Sequence, residues 1–475
     1  MSGEQRTCHQ VFKLSPYEDF KNNNPERVPG TCTWVLQHPK YIQWLESQKD
    51  DLLWISADPG CGKSVLSRSL VDKELHSTDS LSTCYFFFKD NEQQDRLAIA
   101  LCALLHQLFN EQPQLLKHAM ATHEKNGDKL QDEVNELWRI LISAATDPDS
   151  HNVICVLDAL DECCERDRQI LLSFLSKFYS ESSQISQKSF LKFLVTSRPY
   201  DDIESGFQKI PSNLPTIRLS GEKENDKIHK EIDLVIRQRV AELAMHNRLS
   251  PPRATEIEKW LLQMQHRTYL WLRFAIKSIE EKYKNTLRPN SESIESLQLP
   301  ASIDDAYEKK LGNIKPENKE TATTILHIIV GARRPLTTAE MAIALGLATK
   351  PNAQSYTEAR IDKDHLEELV RRLCGLFVFI NHSRIYLIHQ TAKEFLIQKD
   401  SQQGSDCWKH CITLNDSETI MANICVNYLL LGELDLIRFK EVREEKFGQK
   451  RLEVQRVTDE EYRDVEALLA YASEH

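Results

Sequence analysis

A glycine-containing turn with a lysine and a hydroxyl residue follows a strongly apolar segment near residue 57. Residues 52–57 predict a buried strand, and the turn after it leads into Lys63, Ser64 and an apolar helix start. Two glycines allow backbone amides to hold phosphate oxygens, and a helix N-terminus adds its positive dipole end. In such a loop Lys63 reaches the β- and γ-phosphates, and the Ser64 hydroxyl binds Mg²⁺. The pattern predicts a phosphate-binding loop (P-loop) for a nucleotide, with contacts from Pro59, Gly60, Cys61, Gly62, Lys63, Ser64 and Val65.

One position departs from the usual G-x-x-x-x-G-K-[ST] spacing, because Ala57 stands where the first glycine is expected. This residue ends the strand and lies farthest from the phosphates, so we expect the loop to keep its shape. A chance match is the alternative. The strand, the loop and the helix all fall in register, which argues against chance.

A second apolar strand delivers carboxylates at its end. Residues 153–157 are all apolar, and Asp158, Asp161 and Glu162 follow. This is the Walker B arrangement, in which Asp158 holds Mg²⁺ through water opposite Ser64. Asp161 or Glu162 would then orient and activate the attacking water. The alternative is an acidic helix N-terminus stabilised by the helix dipole, and the P-loop about a hundred residues upstream argues against it.

A third strand, predicted over 190–195, leads to Arg198 and is ended by Pro199. A guanidinium at the tip of a central strand can reach the γ-phosphate and report whether it is present. An ordinary surface arginine is the alternative for Arg198. We therefore list Asp161, Glu162 and Arg198 as candidate catalytic residues, and Ser64 and Asp158 as candidate metal ligands.

The elements that must position these residues alternate between residues 51 and 220. Apolar runs predict strands at 52–57, 84–88, 153–157, 190–195 and 216–219, and leucines between 97 and 108 recur at helical spacing. Strands that are apolar throughout are typical of a parallel sheet covered by helices on both faces. We predict an α/β P-loop NTPase core over 51–220, preceded by a helical lead-in over 1–50.

After residue 220 the periodicity becomes helical. It predicts a helical domain over 221–317, with a polar linker candidate at 286–300. Helices at 321–330 and 363–373, a capping box from Thr337 to Glu340 and a hairpin around 381–383 predict a winged-helix domain over 318–400. The charged remainder, 401–475, predicts a C-terminal helical tail.

Composition narrows the functional classes. Among 475 residues, 60 are Lys or Arg and 71 are Asp or Glu, a formal net charge of −11, which argues against a general polyanion binder. The longest apolar run, 97–105, is far shorter than the ~20 residues that cross a bilayer, and the first twenty residues lack the apolar core of a signal peptide. These features predict a cytoplasmic protein without a membrane partner.

The 12 cysteines are scattered and form no C-x-x-C pair, so we predict reduced structural thiols. Cys407, His410 and Cys411 lie close together, but no second pair follows at the spacing of a zinc site.

Three motifs together resemble the NACHT-type NTPase module of the STAND and NOD-like receptor class, and in particular its nephrocystin-like form from filamentous fungi. They occupy residues 57–64, 156–163 and 194–199, and flanking segments at 29–34, 267–272 and 387–396 are similar as well. The resemblance covers roughly residues 8–475. It implies a signal-transducing ATPase with a P-loop core, a helical region and a winged helix, and relatives that usually carry an effector domain and repeats.

In that family the winged helix folds over the nucleotide in the resting state, and a histidine at the end of its hairpin contacts the diphosphate. His389 matches that position, with Gln390 where many relatives have Asp. A core histidine bonded to backbone is the alternative. The absence of an Asn-Lys-x-Asp sequence favours ATP and ADP over GTP, which stays open, and residues 29–34 are the expected base contact.

The resemblance implies a switch that is closed with ADP, open with ATP and Mg²⁺, slow in hydrolysis, and able to self-associate and signal to an unknown protein effector. Fungal innate immunity or heterokaryon incompatibility is the expected setting. The alternatives are a metabolic P-loop kinase, a nucleotide-binding scaffold without turnover, and a winged-helix DNA-binding regulator. Nucleic acid is not expected as a partner, because Arg333, Arg334, Arg371 and Arg372 are isolated in an acidic chain. We expect the chain to hold the switch without its input and output domains.

Overall fold

A computed structural model describes residues 2–57, 59–181, 189–210, 216–219, 222–264, 268–284, 299–300, 302–381, 383–397, 407–431, 440–444, 451–455 and 468–474. The chain forms two compact units, Met1–Leu299 and Pro300–His475, and each is described by itself below. The linker predicted at 286–300 lies almost entirely outside the described residues. The predicted domain boundaries therefore stay predictions.

The first unit is built on a five-stranded parallel sheet. Its strands are β1 (Asp51–Ala57), β2 (Leu81–Phe87), β3 (Asn152–Asp158), β4 (Leu191–Ser197) and β5 (Thr216–Leu219). Their order across the sheet is β2-β3-β4-β1-β5, and every pairing is parallel. The predicted parallel sheet is confirmed, with strand bounds that differ from the predicted ones by a few residues at most.

The continuously apolar strands are explained by the two hydrophobic clusters that cover the sheet. In β3, Val153, Cys155 and Leu157 belong to one cluster, whereas Ile154 and Val156 belong to the other. Successive strand residues point to opposite faces, so a strand buried on both sides must be apolar at every position. The predicted helices on both faces of the sheet are confirmed.

Helices connect the strands of this sheet. Four short helices precede it: α1 (Gly3–Gln10), α2 (Tyr17–Asn22), α3 (Thr33–Leu36) and α4 (Pro39–Glu46). The helices between the strands are α5 (Lys63–Ser69), α6 (Leu97–Glu111), α7 (Lys117–Asn126), α8 (Val134–Ala145), α9 (Glu165–Glu181) and α10 (Asp201–Gln208). Three helices follow the sheet: α11 (Glu222–Asn247), α12 (Pro251–Gln263) and α13 (Tyr269–Lys284). The helical reading of the segment after residue 220 is correct for these three elements.

A buried lysine ties the lead-in helices to the sheet. Lys192 lies in β4 with no exposed surface, and its Nζ donates hydrogen bonds to the carbonyls of Trp44, Leu45 and Ser47 at 2.7, 3.1 and 2.5 Å. These carbonyls stand at the end of α4, where a helix lacks internal donors and carries partial negative charge. Burial lowers the pKa of Lys192 to about 8, so the ammonium is charged at pH 7.

The second unit contains the predicted winged-helix order. Its helices are α14 (Ile303–Gly312), α15 (Pro316–Gly331), α16 (Thr338–Thr349), α17 (Tyr356–Ala359), α18 (Lys363–Leu373), α19 (Gln390–Leu396) and α20 (Leu414–Leu429). Strands β6 (Val378–Asn381) and β7 (Arg384–Leu387) form an antiparallel hairpin between α18 and α19. The capping box is confirmed, because Thr337 accepts from the Glu340 amide and Glu340 accepts from the Thr337 amide.

The tail departs from the expectation of helix throughout 401–475. Besides α20 and a short helix at Leu469–Glu474, it contains an antiparallel pair, β8 (Lys440–Glu444) with β9 (Arg451–Gln455). Strand β9 alternates apolar residues, Leu452 and Val454, with charged or polar ones, whereas β8 has one apolar residue, Val442. Alternation with a period of two favours a strand over a helix, and the helical prediction is wrong for these residues.

We predict that Lys192→Met lowers the free energy of unfolding by about 2 kcal/mol at pH 7. The three carbonyls at the end of α4 would lose their donor inside the protein, where an unmade hydrogen bond costs about 1–3 kcal/mol. Urea unfolding followed by circular dichroism measures the change. Lys49→Met, at an exposed position of the same segment, is the matched control and should stay within about 0.5 kcal/mol of the parent. Equal stability of the two variants would contradict the role of Lys192.

Candidate functional site

The predicted phosphate-binding loop lies between β1 and α5. Gly60 and Gly62 adopt φ angles of +75° and +84°, in the left-handed region that residues other than glycine rarely adopt. The helix α5 begins directly at Lys63, so its first amides face the loop as an anion site requires. The two glycines thus have the backbone conformation that the predicted loop requires, and Ala57 ends the buried strand β1.

Lys63 is held inside this loop. Its Nζ donates to the carbonyl of Ala57 at 2.6 Å. Burial lowers the pKa of Lys63, and the negative charges of Asp161 and Asp158 oppose that shift. The Lys63 ammonium therefore lies near the Ala57 carbonyl and the two carboxylates. A bound phosphate would further stabilise its charged form.

Asp158 ends β3 and is almost completely buried, with 1% of its surface exposed. Its Oδ1 accepts hydrogen bonds from Ser67 Oγ at 2.6 Å and from Thr196 Oγ1 at 2.7 Å. Burial raises the pKa of Asp158, and hydrogen bonds from Ser64, Ser67 and Thr196 lower it. The structure thus brings the two predicted metal ligands, Ser64 and Asp158, close together. A hydroxyl beside a carboxylate is the hard oxygen donor set that Mg²⁺ prefers.

Asp161 and Arg198 form a buried ion pair. Arg198 Nε lies 3.1 Å from Asp161 Oδ2, and the Arg198 amide donates to Asp161 Oδ1 at 3.0 Å. A further guanidinium nitrogen, Nη1, donates to the Tyr200 hydroxyl at 2.9 Å. Since both Asp161 oxygens accept from Arg198, the geometry favours Glu162 over Asp161 as the residue that takes a proton from water.

Glu162 has the titration of a general base. Burial and then the negative charge of Asp161 raise the pKa of Glu162 to about 7, while Lys89 and Arg198 lower it. A base whose pKa lies near the working pH is the most effective one. The role of Glu162 in deprotonating a water molecule beside the phosphate loop stays a prediction.

Four residues of this site were not singled out in the sequence. Ser67 and Thr196 orient Asp158, Lys89 lies at the end of β2 beside Glu162, and Tyr269 covers the loop. Ser67 follows Ser64 by three positions on a helix, and this spacing could have identified it. Lys89 follows an apolar strand of a parallel sheet, so its position at the same edge as Asp158 could also have been predicted from the sequence.

The first turn of α13 lies over the phosphate loop. The Tyr269 amide donates to the Gly60 carbonyl at 3.0 Å. A Cβ atom on Gly62 would come within 3.1 Å of the Tyr269 ring, and one on Gly60 within 3.2 Å of Thr268 and Leu270. The helical region of the first unit therefore forms part of the loop's surroundings.

His389 lies in the second unit, immediately before α19. Its Nδ1 accepts from the Thr391 amide at 3.2 Å and lies 3.1 Å from Thr391 Oγ1. With Nδ1 as an acceptor, the neutral ring carries its proton on Nε2, which can donate to a phosphate oxygen. The bond to backbone also fits the alternative of a structural histidine. The contact of His389 with a diphosphate stays a prediction.

Two further properties concern the described part of the chain. No described helix has the length and apolar character needed to span a membrane. Within the same described residues, no group of three or more His, Cys, Asp or Glu side chains forms a metal-binding cluster.

Three family comparisons match consecutive parts of the chain. Residues 30–198 match the nephrocystin 3 N-terminal family, residues 228–297 a domain family of unknown function, and residues 310–406 the winged-helix domain of GPI inositol-deacylase. The first match contains the phosphate loop, Asp158, Asp161, Glu162 and Arg198. The predicted winged helix is confirmed by the third.

Among curated proteins, the vegetative incompatibility protein HET-E-1 of Podospora anserina is 29% identical over 381 residues. The match covers 78% of this chain and 26% of the relative, so the chain spans about a quarter of that protein's length. Among solved structures, Cdc6p of Pyrobaculum aerophilum has 13% identity and a TM-score of 0.30, covering 87% of this chain and 97% of that one. A Walker-type ATPase of Pyrococcus abyssi has 12% identity and a TM-score of 0.35, covering 81% and 99%. The family and curated-protein matches agree with the resemblance seen in the motifs: residues 30–198 are similar to the nephrocystin 3 N-terminal family, in a chain that is also similar to a fungal incompatibility protein.

Proposed function

We propose that this chain is the nucleotide-operated switch of a signalling NTPase, closed with ADP and open with ATP. The observation that carries the proposal is the convergence of five side chains at the carboxyl edge of one parallel sheet: Lys63, Ser64, Asp158, Glu162 and Arg198. The family and curated-protein matches support the more general function of a nucleotide-binding signalling NTPase. Ligands of open parallel sheets bind at this edge.

The difference between the two nucleotide states resides in Arg198. With a diphosphate, Arg198 keeps both of its bonds to Asp161. The γ-phosphate of ATP adds negative charge near the guanidinium and competes with Asp161 for it. Only a contact that differs between two states can shift their equilibrium, so this exchange of partners is the step that reads the nucleotide.

Hydrolysis would be slow and would act as a timer. Mg²⁺ held by Ser64 and Asp158 would neutralise charge on the phosphates. Glu162 would accept the proton of the attacking water, and Lys63 would hold the β- and γ-phosphates. ATP and ADP are the proposed nucleotides, with GTP as the alternative.

The signalling setting follows from the relative rather than from the site. The name of HET-E-1 describes vegetative incompatibility in a fungus, and we propose a comparable role in the cytoplasm for this chain. The ATP-bound form would self-associate and engage a protein effector, and His389 would hold the diphosphate in the closed form.

The arginines of the second unit do not favour the DNA-binding alternative. Arg333, Arg334 and Arg371 are each paired with a glutamate, Glu418, Glu340 and Glu367 in that order. Arginines neutralised in this way supply little of the positive surface that binds phosphate backbones.

We predict that Arg198→Ala weakens ATP binding about 10- to 100-fold and ADP binding less than threefold. The expected loss corresponds to one hydrogen-bonded charge contact of about 1.5–3 kcal/mol that the γ-phosphate alone receives. Titration calorimetry with each nucleotide measures it. Arg139→Ala, an exposed arginine of the same unit paired with Glu136, is the control. Equal losses for ATP and ADP would argue against a γ-phosphate contact.

We predict that Glu162→Gln lowers the ATP hydrolysis rate at least 100-fold while ATP remains bound, as expected for loss of a general base. In the parent protein the rate should rise with pH through about 7, because Glu162 acts only when deprotonated and its pKa is about 7. The variant should lack this rise. Phosphate release between pH 5.5 and 8.5 tests both.

Glu165→Gln, three residues later and exposed, is the matched control for that experiment. An unchanged rate in Glu162→Gln would contradict the role of Glu162 as the base, whereas a parent protein that binds ATP without releasing phosphate would support the scaffold without turnover.

A further inference from the structure

One buried carboxylate in the helical region holds the segment expected to contact the base. Glu231 lies in α11 with 5% of its surface exposed. Its oxygens accept from the amides of Cys32, Thr33 and Trp34 at 2.5, 2.7 and 3.3 Å, and from the Thr33 hydroxyl at 2.7 Å. Among the described residues, Glu231 forms no ion pair, so its charge is stabilised by N–H and O–H donors.

These bonds impose a backbone conformation that the sequence disfavours. Cys32 has a φ of +62°, a region that residues other than glycine seldom adopt. Directional hydrogen bonds from three consecutive amides to one carboxylate hold the chain in that turn and place the first turn of α3. Among the described residues, no other side chain accepts hydrogen bonds from these three amides. Loss of the carboxylate would therefore leave the turn without the bonds that hold its shape.

The same carboxylate reaches the phosphate loop through Tyr269. Tyr269 lies close to Glu231, because burial and then the charge of Glu231 raise the pKa of Tyr269. The Tyr269 ring lies against Gly62 and its amide bonds to the Gly60 carbonyl. Glu231 thus joins three parts of the first unit: residues 32–34, the start of α13 and the phosphate loop.

We propose that Glu231 is a positioning residue for nucleotide retention, which holds the turn at residues 32–34 and supports Tyr269 where it lies against the phosphate loop. The inference rests on the proposed function, because it concerns release of the nucleotide held there. Nucleotide leaves when the bonds on Glu231 open, and Glu231 therefore sets the dissociation rate. Glu231 acts through Tyr269 and residues 32–34 and does not contact Asp158 or Glu162.

Glutamine is an informative replacement at this position. It keeps the length of the side chain but converts one acceptor oxygen into an NH₂ donor. Both carboxylate oxygens already accept amide hydrogens, so the new donor would face an N–H of residues 32–34. Tyr269→Phe is the milder change, since it removes the hydroxyl near Glu231 and keeps the ring against Gly62.

Release of a fluorescent ADP analogue, chased with excess unlabelled ADP, tests the inference in the full chain. Glu231→Gln should release the analogue at least tenfold faster than the parent, and Tyr269→Phe about threefold faster. In both variants the Km for ATP should change much more than the hydrolysis rate at saturating ATP. Glu242→Gln on the same helix and Tyr41→Phe, whose hydroxyl has no hydrogen-bond partner among the described residues, are the matched controls and should match the parent.

The outcomes separate this inference from the function on which it rests. A parent protein that binds neither ADP nor ATP overturns both. Parent-like release from folded Glu231→Gln overturns the positioning role alone, and so does a loss of hydrolysis rate as large as the gain in release. If Glu231→Gln does not fold by circular dichroism, Tyr269→Phe decides, and parent-like release from it overturns the inference.

Discussion

The site depends on how the buried carboxylate of Asp158 is satisfied. A charge with 1% exposure is tolerated inside a protein only when hydrogen bonds or cations replace its water. Ser67 and Thr196 both donate hydrogen bonds to one oxygen of Asp158, and Ser64 lies close to it at the start of α5. These partners come from the helix α5 and from β4, the neighbour of β3 in the sheet. The requirement to satisfy one carboxylate therefore fixes the spacing between the loop and the two central strands, and with it the places of Lys63 and Arg198.

Local patterns were sufficient to predict the sheet, the phosphate loop and the acidic strand end. Apolar runs identify strands buried on both faces, and the carboxyl ends of parallel strands meet at one edge, so Ser64, Asp158 and Arg198 could be placed together without coordinates. The ion pair of Asp161 with Arg198 could not be foreseen, because sequence alone does not tell which of two adjacent acidic residues turns toward the arginine. Glu231 was missed for a similar reason: it lies nearly two hundred residues from the amides that it binds, inside a helix rich in charged residues.

In the C-terminal tail, the helical prediction was wrong for β8 and β9. The residues of β8 and β9 carry many charges, and a charged segment without turn signals was read as helix. The alternation of apolar and charged positions is limited to the five residues of β9, and so is easily overlooked beside longer helical patterns. In the winged helix the capping box and the hairpin were recognisable because each depends on residues only a few positions apart.

The two glycines of the phosphate loop have a consequence for how this protein can be dissected. A Cβ atom on Gly60 or Gly62 would meet Thr268, Tyr269 or Leu270 at the start of α13, and the positive φ angles of both glycines set the shape of the loop. An alanine at either position would therefore strain the loop and press on α13 at once, so its phenotype could not be assigned to lost nucleotide contact or to a displaced helix. Sequence variation at these glycines and at the start of α13 should therefore be correlated across relatives, since the two surfaces must fit each other whether or not nucleotide is bound.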